Sequence, residues 1–183
     1  AHVTTVLFND QYKMLYNRRE LKDVSKMTDK DYTPGGMTAL LDAVGRTIHK
    51  MDMVAGIHRK DKGNKVLFVI ITDGEENDSK EYTYADVKKL IKDRQENAGW
   101  EFIFLGANID AAAAAENLGI DRDRAVKYKN TGSGVRANFK AVAELSDSLA
   151  KSGRVSDEWK ETVEKDEDDA ADKQSAAVTL HRR

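Results

Sequence analysis

An α/β fold with a mostly parallel central sheet is predicted from the order of apolar segments along the chain. Short runs rich in β-branched and apolar residues alternate with longer stretches of helical period. The run Lys65–Thr72 (KVLFVIIT) lacks polar alternation, which is typical of a strand buried on both faces of a parallel sheet. The turn residues Asn9, Asp10 and Gln11 join the first two runs and indicate a hairpin, hence an antiparallel edge strand.

Five strands and four helices follow from this pattern. The strands are expected at Val3–Phe8, Tyr12–Tyr16, Lys65–Thr72, Trp100–Gly106 and Arg124–Tyr128. The first helix begins at Thr38 and carries Leu40, Leu41, Val44, Ile48, Met51 and Ala55 at three- and four-residue spacing. The others are expected at Tyr84–Glu96, Ala111–Leu118 with Gly119 as its cap, and Val135–Leu149 with Phe139, Val142, Leu145 and Leu149 on its inner face.

The chain divides by composition near Gly153. Its 183 residues suit one domain with a small appendage, and we assign residues 1–152 to the domain. Between Asp157 and Lys173 there are nine acids and three lysines, with Trp159 and Val163 as the main apolar residues. Residues 153–183 are therefore expected to form an acidic, solvated extension that is helical or disordered.

Composition excludes several classes of function. The net charge is −2 and the basic residues are scattered among acids, so we expect no nucleic-acid partner. The absence of cysteine excludes disulfides and thiolate chemistry. The longest apolar run, Val66–Ile71, is too short to span a bilayer, so no membrane association is expected. We accordingly expect a cytoplasmic protein.

Polar residues follow the predicted strands where a ligand site is expected. In open parallel sheets such sites lie beyond the carboxyl ends of the strands. Asp73 directly follows the strand Lys65–Thr72, and Thr38 belongs to a glycine-rich loop before a helix. A carboxylate and a hydroxyl are the oxygen ligands that Mg²⁺ prefers. Each feature alone is more simply a turn or a helix cap; their combination is more specific.

Three segments of the chain, VTTVLFND, PGGMTALLDAVGRTI and VLFVIITDGEENDS, together resemble a von Willebrand factor A domain. FLGANIDA and YKNTGSGVRANFKAVAEL are similar to its intracellular bacterial or phage members. The resemblance runs from Val3 to Leu149. It implies a Rossmann-like fold with helices on both faces of the sheet.

The resemblance also implies a metal-ion-dependent adhesion site. Thr38 and Asp73 would ligate Mg²⁺, Mn²⁺ or Ca²⁺ directly or through water. Gly35, Gly36 and Gly74 would let the loops approach the ion, with Glu75 in support. A carboxylate of a partner protein would complete the coordination. Glu75, Glu76 and Asp78 are otherwise interpreted as solvated loop residues that add negative potential.

One motif of that family is missing from this sequence. The Asp-x-Ser-x-Ser loop follows the family's first strand, which would lie upstream of Ala1 and between Val3–Phe8 and Lys65–Thr72 in the sheet. We therefore expect an incomplete site that binds metal poorly in this chain. Two explanations stay open. Either the strand and its motif precede Ala1 in a longer protein, where the site is complete, or the molecule lacks the strand and has a gap in the sheet, which would close up, take a strand from a neighbouring copy or accept one from a partner.

Two other functions stay open. A Mg²⁺-dependent hydrolase or phosphotransfer domain would need a general base, for which Glu75 or Asp78 is available. A structural subunit would need no metal. Neither a nucleophile elbow nor a dinucleotide or Walker loop is found, so we do not expect an enzyme. The stretch Thr131–Gly134 is either a flexible helix start or a phosphate site on exposed N–H groups.

Overall fold

The computed structural model describes residues 1–28, 30–31, 35–54, 65–156 and 158–164. In these ranges the chain forms a mixed α/β structure with two separate sheets. One sheet has two antiparallel strands and the other has three parallel strands. None of the helices in the described ranges is both long enough and apolar enough to cross a membrane.

The antiparallel sheet is the predicted hairpin. Strand β1 (His2–Phe8) pairs with β2 (Tyr12–Glu20) across the short turn that the sequence indicated. The Gln11 backbone N–H donates to Asn9 Oδ1 at 2.7 Å and closes that turn. Strand β2 runs four residues beyond the predicted end at Tyr16, because its polar second half still pairs with the start of β1.

The parallel sheet has β4 at its centre. Strands β3 (Leu67–Thr72) and β5 (Ala125–Lys127) flank β4 (Glu101–Gly106), in the order β3-β4-β5. Phe102 and Phe104 point to one face of this sheet, and Ile103 and Leu105 point to the other. All four side chains are fully buried, so both faces of β4 are covered.

In the described ranges, four long helices pack on the sheets. They are α1 (Leu40–Asp52), α2 (Tyr84–Asp93), α3 (Ala111–Leu118) and α4 (Gly132–Ser152). A wider helical turn, Arg94–Ala98, continues α2 and ends at Gly99. Helices α1, α2 and α3 share one core with Phe102 and Phe104, whereas α4 shares a second core with Ile103 and Leu105. Helices therefore cover both faces of the three-stranded sheet, as predicted.

The α/β class is confirmed, but the described strands do not form one central sheet. Strand β3 was predicted to be buried on both faces, yet most of its side chains are only half-buried. Ile70 and Thr72 are the exceptions. The reason is that β3 pairs with β4 along one edge and with no described strand along the other.

The inner face of α4 was predicted correctly at Leu145 and Leu149, which are buried, and at Val142, which packs against the second core, but not at Phe139. Phe139 is 55% exposed rather than inward. The buried residues of α4 are Gly134, Asn138, Ala141, Leu145 and Leu149, so Asn138, directly before Phe139 in sequence, takes the inward position. The amide of Asn138 is sealed from solvent and has no hydrogen-bond partner among the described residues. The polar residue Asn138 therefore occupies the core position that the apolar pattern had predicted for Phe139.

Part of the acidic extension packs on the domain. Residues 159–164 are helical, and Val155, Trp159 and Val163 are buried in the second core. The expectation of a solvated segment is wrong for these side chains, because two apolar residues four apart suffice to attach one helical turn to α4. The division of the chain at residue 152 stays a prediction. Residues 165–183, and Ala55 at the expected end of the first helix, lie outside the described ranges.

Candidate functional site

Loops from three strands and the start of α1 meet at one edge of the protein. The Ala39 backbone N–H donates to the carbonyl of Asn9, just beyond β1, at 2.9 Å. The Asn77 backbone N–H, in the loop after β3, donates to the carbonyl of Thr38 at 3.0 Å. We call this edge the rim; it comprises residues 9–10, 35–38, 73–77 and Asn130.

At the rim, the hydroxyl of Thr38 lies beside Gly74, the residue that follows Asp73. A methyl group on Gly74 would lie 3.1 Å from Thr38 Oγ1. Thr72 Oγ1 donates to the Gly74 carbonyl at 2.9 Å and holds the turn after β3. Thr38 is not the helix cap, because Ala39 occupies that position. The backbone N–H of Thr38 donates to Asn77 Oδ1 at 2.7 Å, which fixes its loop against the loop after β3.

Asp73 is exposed and is oriented by a residue that sequence reasoning missed. Asn130 Nδ2 donates to Asp73 Oδ2 at 3.1 Å. Asn130 lies just after β5 and directly before α4, so a third loop reaches the rim. An asparagine in the loop that follows a predicted parallel strand was the available signal.

The two glycines of the Thr38 loop adopt backbone conformations that favour glycine. Gly35 and Gly36 have φ of 137° and 90°. Asn9 Nδ2 donates to the Gly35 carbonyl at 2.9 Å, and a Cβ on Gly36 would lie only 2.5 Å from Asp10 Oδ1. The loop therefore passes directly against the hairpin turn and brings the Asp10 carboxylate to the rim. Asp10 had been interpreted only as a turn residue.

The glutamates of the acidic loop after β3, Glu75 and Glu76, differ in their exposure and hydrogen bonding. Glu75 is exposed, which agrees with a solvated loop residue. Glu76 is not solvated in that sense: its carboxylate accepts from the Leu41 backbone N–H at 2.9 Å and from the Ser79 backbone N–H at 2.8 Å. The expectation for Glu76 is wrong because the first N–H groups of α1 need acceptors that the helix itself does not provide.

A second carboxylate holds the same loop from the helix side. Asp42 is 6% exposed and accepts hydrogen bonds from the backbone N–H groups of Lys80, Glu81 and Tyr82 at 2.9–3.0 Å. Burial raises the pKa of Asp42, but these three donors outweigh it and leave the pKa below the usual range. The ring of Tyr82 lies over Gly45, where a Cβ would approach it to 2.5 Å.

The start of α4 is shaped by close packing. Thr131 Oγ1 accepts from the Gly134 backbone N–H at 3.1 Å, so one N–H that a phosphate would need is already used. A Cβ on Gly134 would lie 2.1 Å from the carbonyl oxygen of Lys129. Gly134 is therefore required by this contact rather than by flexibility.

The oxygen donors at the rim fit a hard cation in type but not in number. Thr38 and Asp73 offer one hydroxyl and one carboxylate, whereas such ions take about six oxygen ligands. The described part of the chain contains no group of three or more histidine, aspartate or glutamate side chains that could hold a metal ion. His49 is used elsewhere, because its Nδ1 hydrogen-bonds with the Tyr82 hydroxyl at 2.7 Å. These two donors alone would leave most of the ligands of such an ion to water or to another molecule.

Magnesium is expected to bind this chain weakly. In an isothermal calorimetry titration of Mg²⁺ we expect no saturable one-to-one binding tighter than the millimolar range, because water must supply most ligands. The variant Asp73→Asn is expected to give the same trace. Tight stoichiometric binding by the unmodified chain would contradict this expectation.

No family model, curated protein or solved structure matches the chain. The resemblance to a von Willebrand factor A domain thus depends on the sequence motifs quoted above.

Proposed function

We propose that this chain is a protein-interaction module of the von Willebrand factor A type, with a Rossmann-like fold. The rim contacts a partner protein through a divalent cation, Mg²⁺ or a similar ion. Thr38 and Asp73 hold the cation from the domain side, and a carboxylate of the partner supplies a further ligand. The cation provides a strong positive charge between two surfaces that otherwise carry negative groups.

The observation that carries this proposal is the approach of Thr38 Oγ1 to the backbone directly after Asp73. These two residues are 35 positions apart in sequence, and the loop contacts at the rim hold them on one edge. The exposed Asp73 carboxylate is kept in place by Asn130. An exposed, oriented carboxylate beside a hydroxyl can bind a partner's ligand that reaches it from solvent.

The donor number also favours an interaction role over catalysis. A site short of protein ligands gains most from a carboxylate that arrives with the partner. A Mg²⁺-dependent hydrolase would also need a general base near Asp73. Of the two carboxylates available for that role, Glu75 is exposed, and Asp78 is half-buried and pairs with Lys80 at 3.6 Å. The hydrolase is the second candidate, and a metal-free structural subunit is the third.

Acetate, which stands in for the carboxylate of a partner protein, is expected to raise the affinity of the chain for Mn²⁺. This increase should require both Thr38 and Asp73. Electron paramagnetic resonance measures the concentration of free Mn²⁺ in a titration of the chain. The titration is made once with acetate and once without it. Because coupling between two ligands is reciprocal, acetate should raise the Mn²⁺ affinity about 5-fold or more. Thr38→Ala and Asp73→Ala should each abolish this increase.

Asp123→Ala is the matched control, because Asp123 is an exposed carboxylate just before β5, at the opposite edge of the sheet. It should retain the acetate effect. An acetate effect that survives in Asp73→Ala would contradict the proposed site. A substrate screen with Mg²⁺ separates the second candidate: turnover that is lost in Asp73→Ala would favour the hydrolase. Partner binding that persists in Thr38→Ala and Asp73→Ala would favour the metal-free subunit.

A further inference from the structure

The pair Asp73–Gly74 is the one place in the sequence where a glycine follows an aspartate, and it lies at the rim directly after β3. Asp73 is exposed, Gly74 is half-buried, and neither belongs to a helix or a strand. Glycine has no Cβ, so its backbone nitrogen can approach the carboxyl carbon of the preceding aspartate without obstruction. Whether the two groups react in a folded protein depends on how firmly each of them is held.

The backbone N–H of Gly74 is held by a long and local hydrogen bond. It donates to Thr72 Oγ1 at 3.3 Å, which is longer than a typical N–H···O bond. The acceptor is only two residues away and itself donates to the Gly74 carbonyl at 2.9 Å. This bond closes a turn but does not tie the nitrogen of Gly74 to a helix or to a neighbouring strand.

Two other aspartates are followed by a small residue, serine, and their backbone is held more firmly. After Asp78, the Ser79 backbone N–H donates to Glu76 Oε1 at 2.8 Å, and the Asp78 N–H donates to the same oxygen at 3.0 Å. Asp147 and Ser148 lie inside α4, where helical hydrogen bonds fix the backbone. These two pairs are therefore internal references for the reactivity of Asp73–Gly74.

Asn130 restrains the other reacting group, the carboxyl of Asp73. Its Nδ2 donates to Asp73 Oδ2 at 3.1 Å, in a hydrogen bond that is exposed to solvent. A reaction with Gly74 requires the carboxyl group to turn toward the backbone nitrogen. The bond from Asn130 opposes that rotation while it lasts, and an exposed hydrogen bond of this kind is weak enough to open often.

We propose that Asp73–Gly74 is a site of spontaneous isomerisation to isoaspartate and that Asn130 slows the reaction. The Gly74 nitrogen forms a bond to Asp73 Cγ and loses its proton, and a carboxyl oxygen leaves as water, which gives a cyclic succinimide. Water then adds to the main-chain carbonyl carbon of Asp73, and the bond from that carbon to the Gly74 nitrogen breaks. Water is released in the first step and consumed in the second, so no oxidant, reductant or cofactor is required.

Isoaspartate at residue 73 changes the contacts of the rim. The main chain between residues 73 and 74 gains a methylene group, and the free carboxylate moves from the side chain to the Cα. Gly74 is thereby displaced from Thr38 Oγ1, beside which it lies, and the carboxylate is displaced from Asn130. An effect on cation binding rests on the function proposed above, whereas the isomerisation itself does not.

Ageing of the full chain tests the proposal. The folded chain is incubated at physiological temperature and pH, and peptide mapping with electron-transfer fragmentation locates isoaspartate. Isoaspartate is expected to accumulate at residue 73 and not at residues 78 and 147. The same chain unfolded in urea is the positive control for detection at residue 73. Isoaspartate that forms at residue 73 in urea but not in the folded chain would overturn the proposal, as would equal accumulation at residues 73 and 78.

Three variants test the chemistry and the role of Asn130. Gly74→Ala adds a Cβ beside the attacking nitrogen and should slow the reaction at least about tenfold. Asn130→Ala should speed it about threefold, because a hydrogen bond that restrains the carboxyl is lost. Asn117→Ala, which changes an exposed asparagine of α3, should leave the rate unchanged.

Two results with these variants would contradict the proposal. An unchanged rate in Gly74→Ala would exclude attack by the Gly74 nitrogen. A rate in Asn130→Ala that is no higher than in Asn117→Ala would exclude a protective role of Asn130. None of these measurements involves a cation, so a failure of the proposed function does not affect their outcome.

Discussion

Asp42→Ala is expected to lower the free energy of unfolding by about 3 kcal/mol, measured by urea denaturation at neutral pH. The buried Asp42 carboxylate accepts three backbone N–H groups from the loop at Lys80–Tyr82. Alanine leaves these three part-buried donors without their acceptor, and the loss of each hydrogen bond costs about 1 kcal/mol. The same loop carries Glu76, which caps α1, so the loss should also loosen the rim.

The contribution of Asp42 should depend on pH with a definite sign. The pKa of this carboxyl is lowered in the folded state, since its three backbone donors outweigh the burial that raises the pKa. Its stabilisation is therefore present above the ordinary carboxyl pKa and is lost as the pH falls through the lower folded-state pKa. Asp42→Asn cannot ionise and should lose less stability than the unmodified chain over that acid range. Equal acid sensitivity of the two proteins would contradict this role.

The elements of the fold could be predicted because they depend on local patterns. The alanine-rich helix matched the predicted Ala111–Leu118 at both ends, since Asp110 caps its start and Gly119 its end. Predictions that required the position of a neighbour were less successful. The half-exposure of β3 follows from an unpaired edge, which no residue of β3 encodes. The exposure of Phe139 depends on which side of α4 the segment around Trp159 covers.

Predictions about the candidate site were limited in the same way, because they too depend on which loops lie next to one another. Thr38 and Asp73 could be proposed because each lies next to a recognisable strand end or helix start. Asp10 could not, because it reaches the rim through a contact with a loop far away in sequence. Asn130 had only its position after a predicted strand as a signal, and its contact with Asp73 also joins two distant loops. Glu76 was interpreted as solvated since its acceptor role depends on the helix start at Leu41, 35 residues earlier. Carboxylates in an acidic run look alike in sequence, and only packing separates a solvated one from a cap.

Gly134→Ala is expected to destabilise the chain by about 3 kcal/mol, close to the loss from Asp42→Ala. The new Cβ would lie 2.1 Å from the Lys129 carbonyl oxygen, which is a backbone atom. The start of α4 or the loop before it must therefore move, and overpacking of this kind costs about 1–3 kcal/mol. Asn130 lies in that loop, so Asp73 should also lose its hydrogen bond.

Gly132→Ala provides the control within the same helical turn. The nearest atom to a Cβ at Gly132 is the flexible end of Arg136, at 3.4 Å, and its φ is not in the left-handed region. Alanine there should be neutral or stabilising by about 0.5 kcal/mol, because it reduces the entropy of the unfolded chain. Thermal and urea unfolding of both variants measure the difference. A similar loss in the two would mean that the glycines of this loop act through backbone freedom and not through the contact with Lys129.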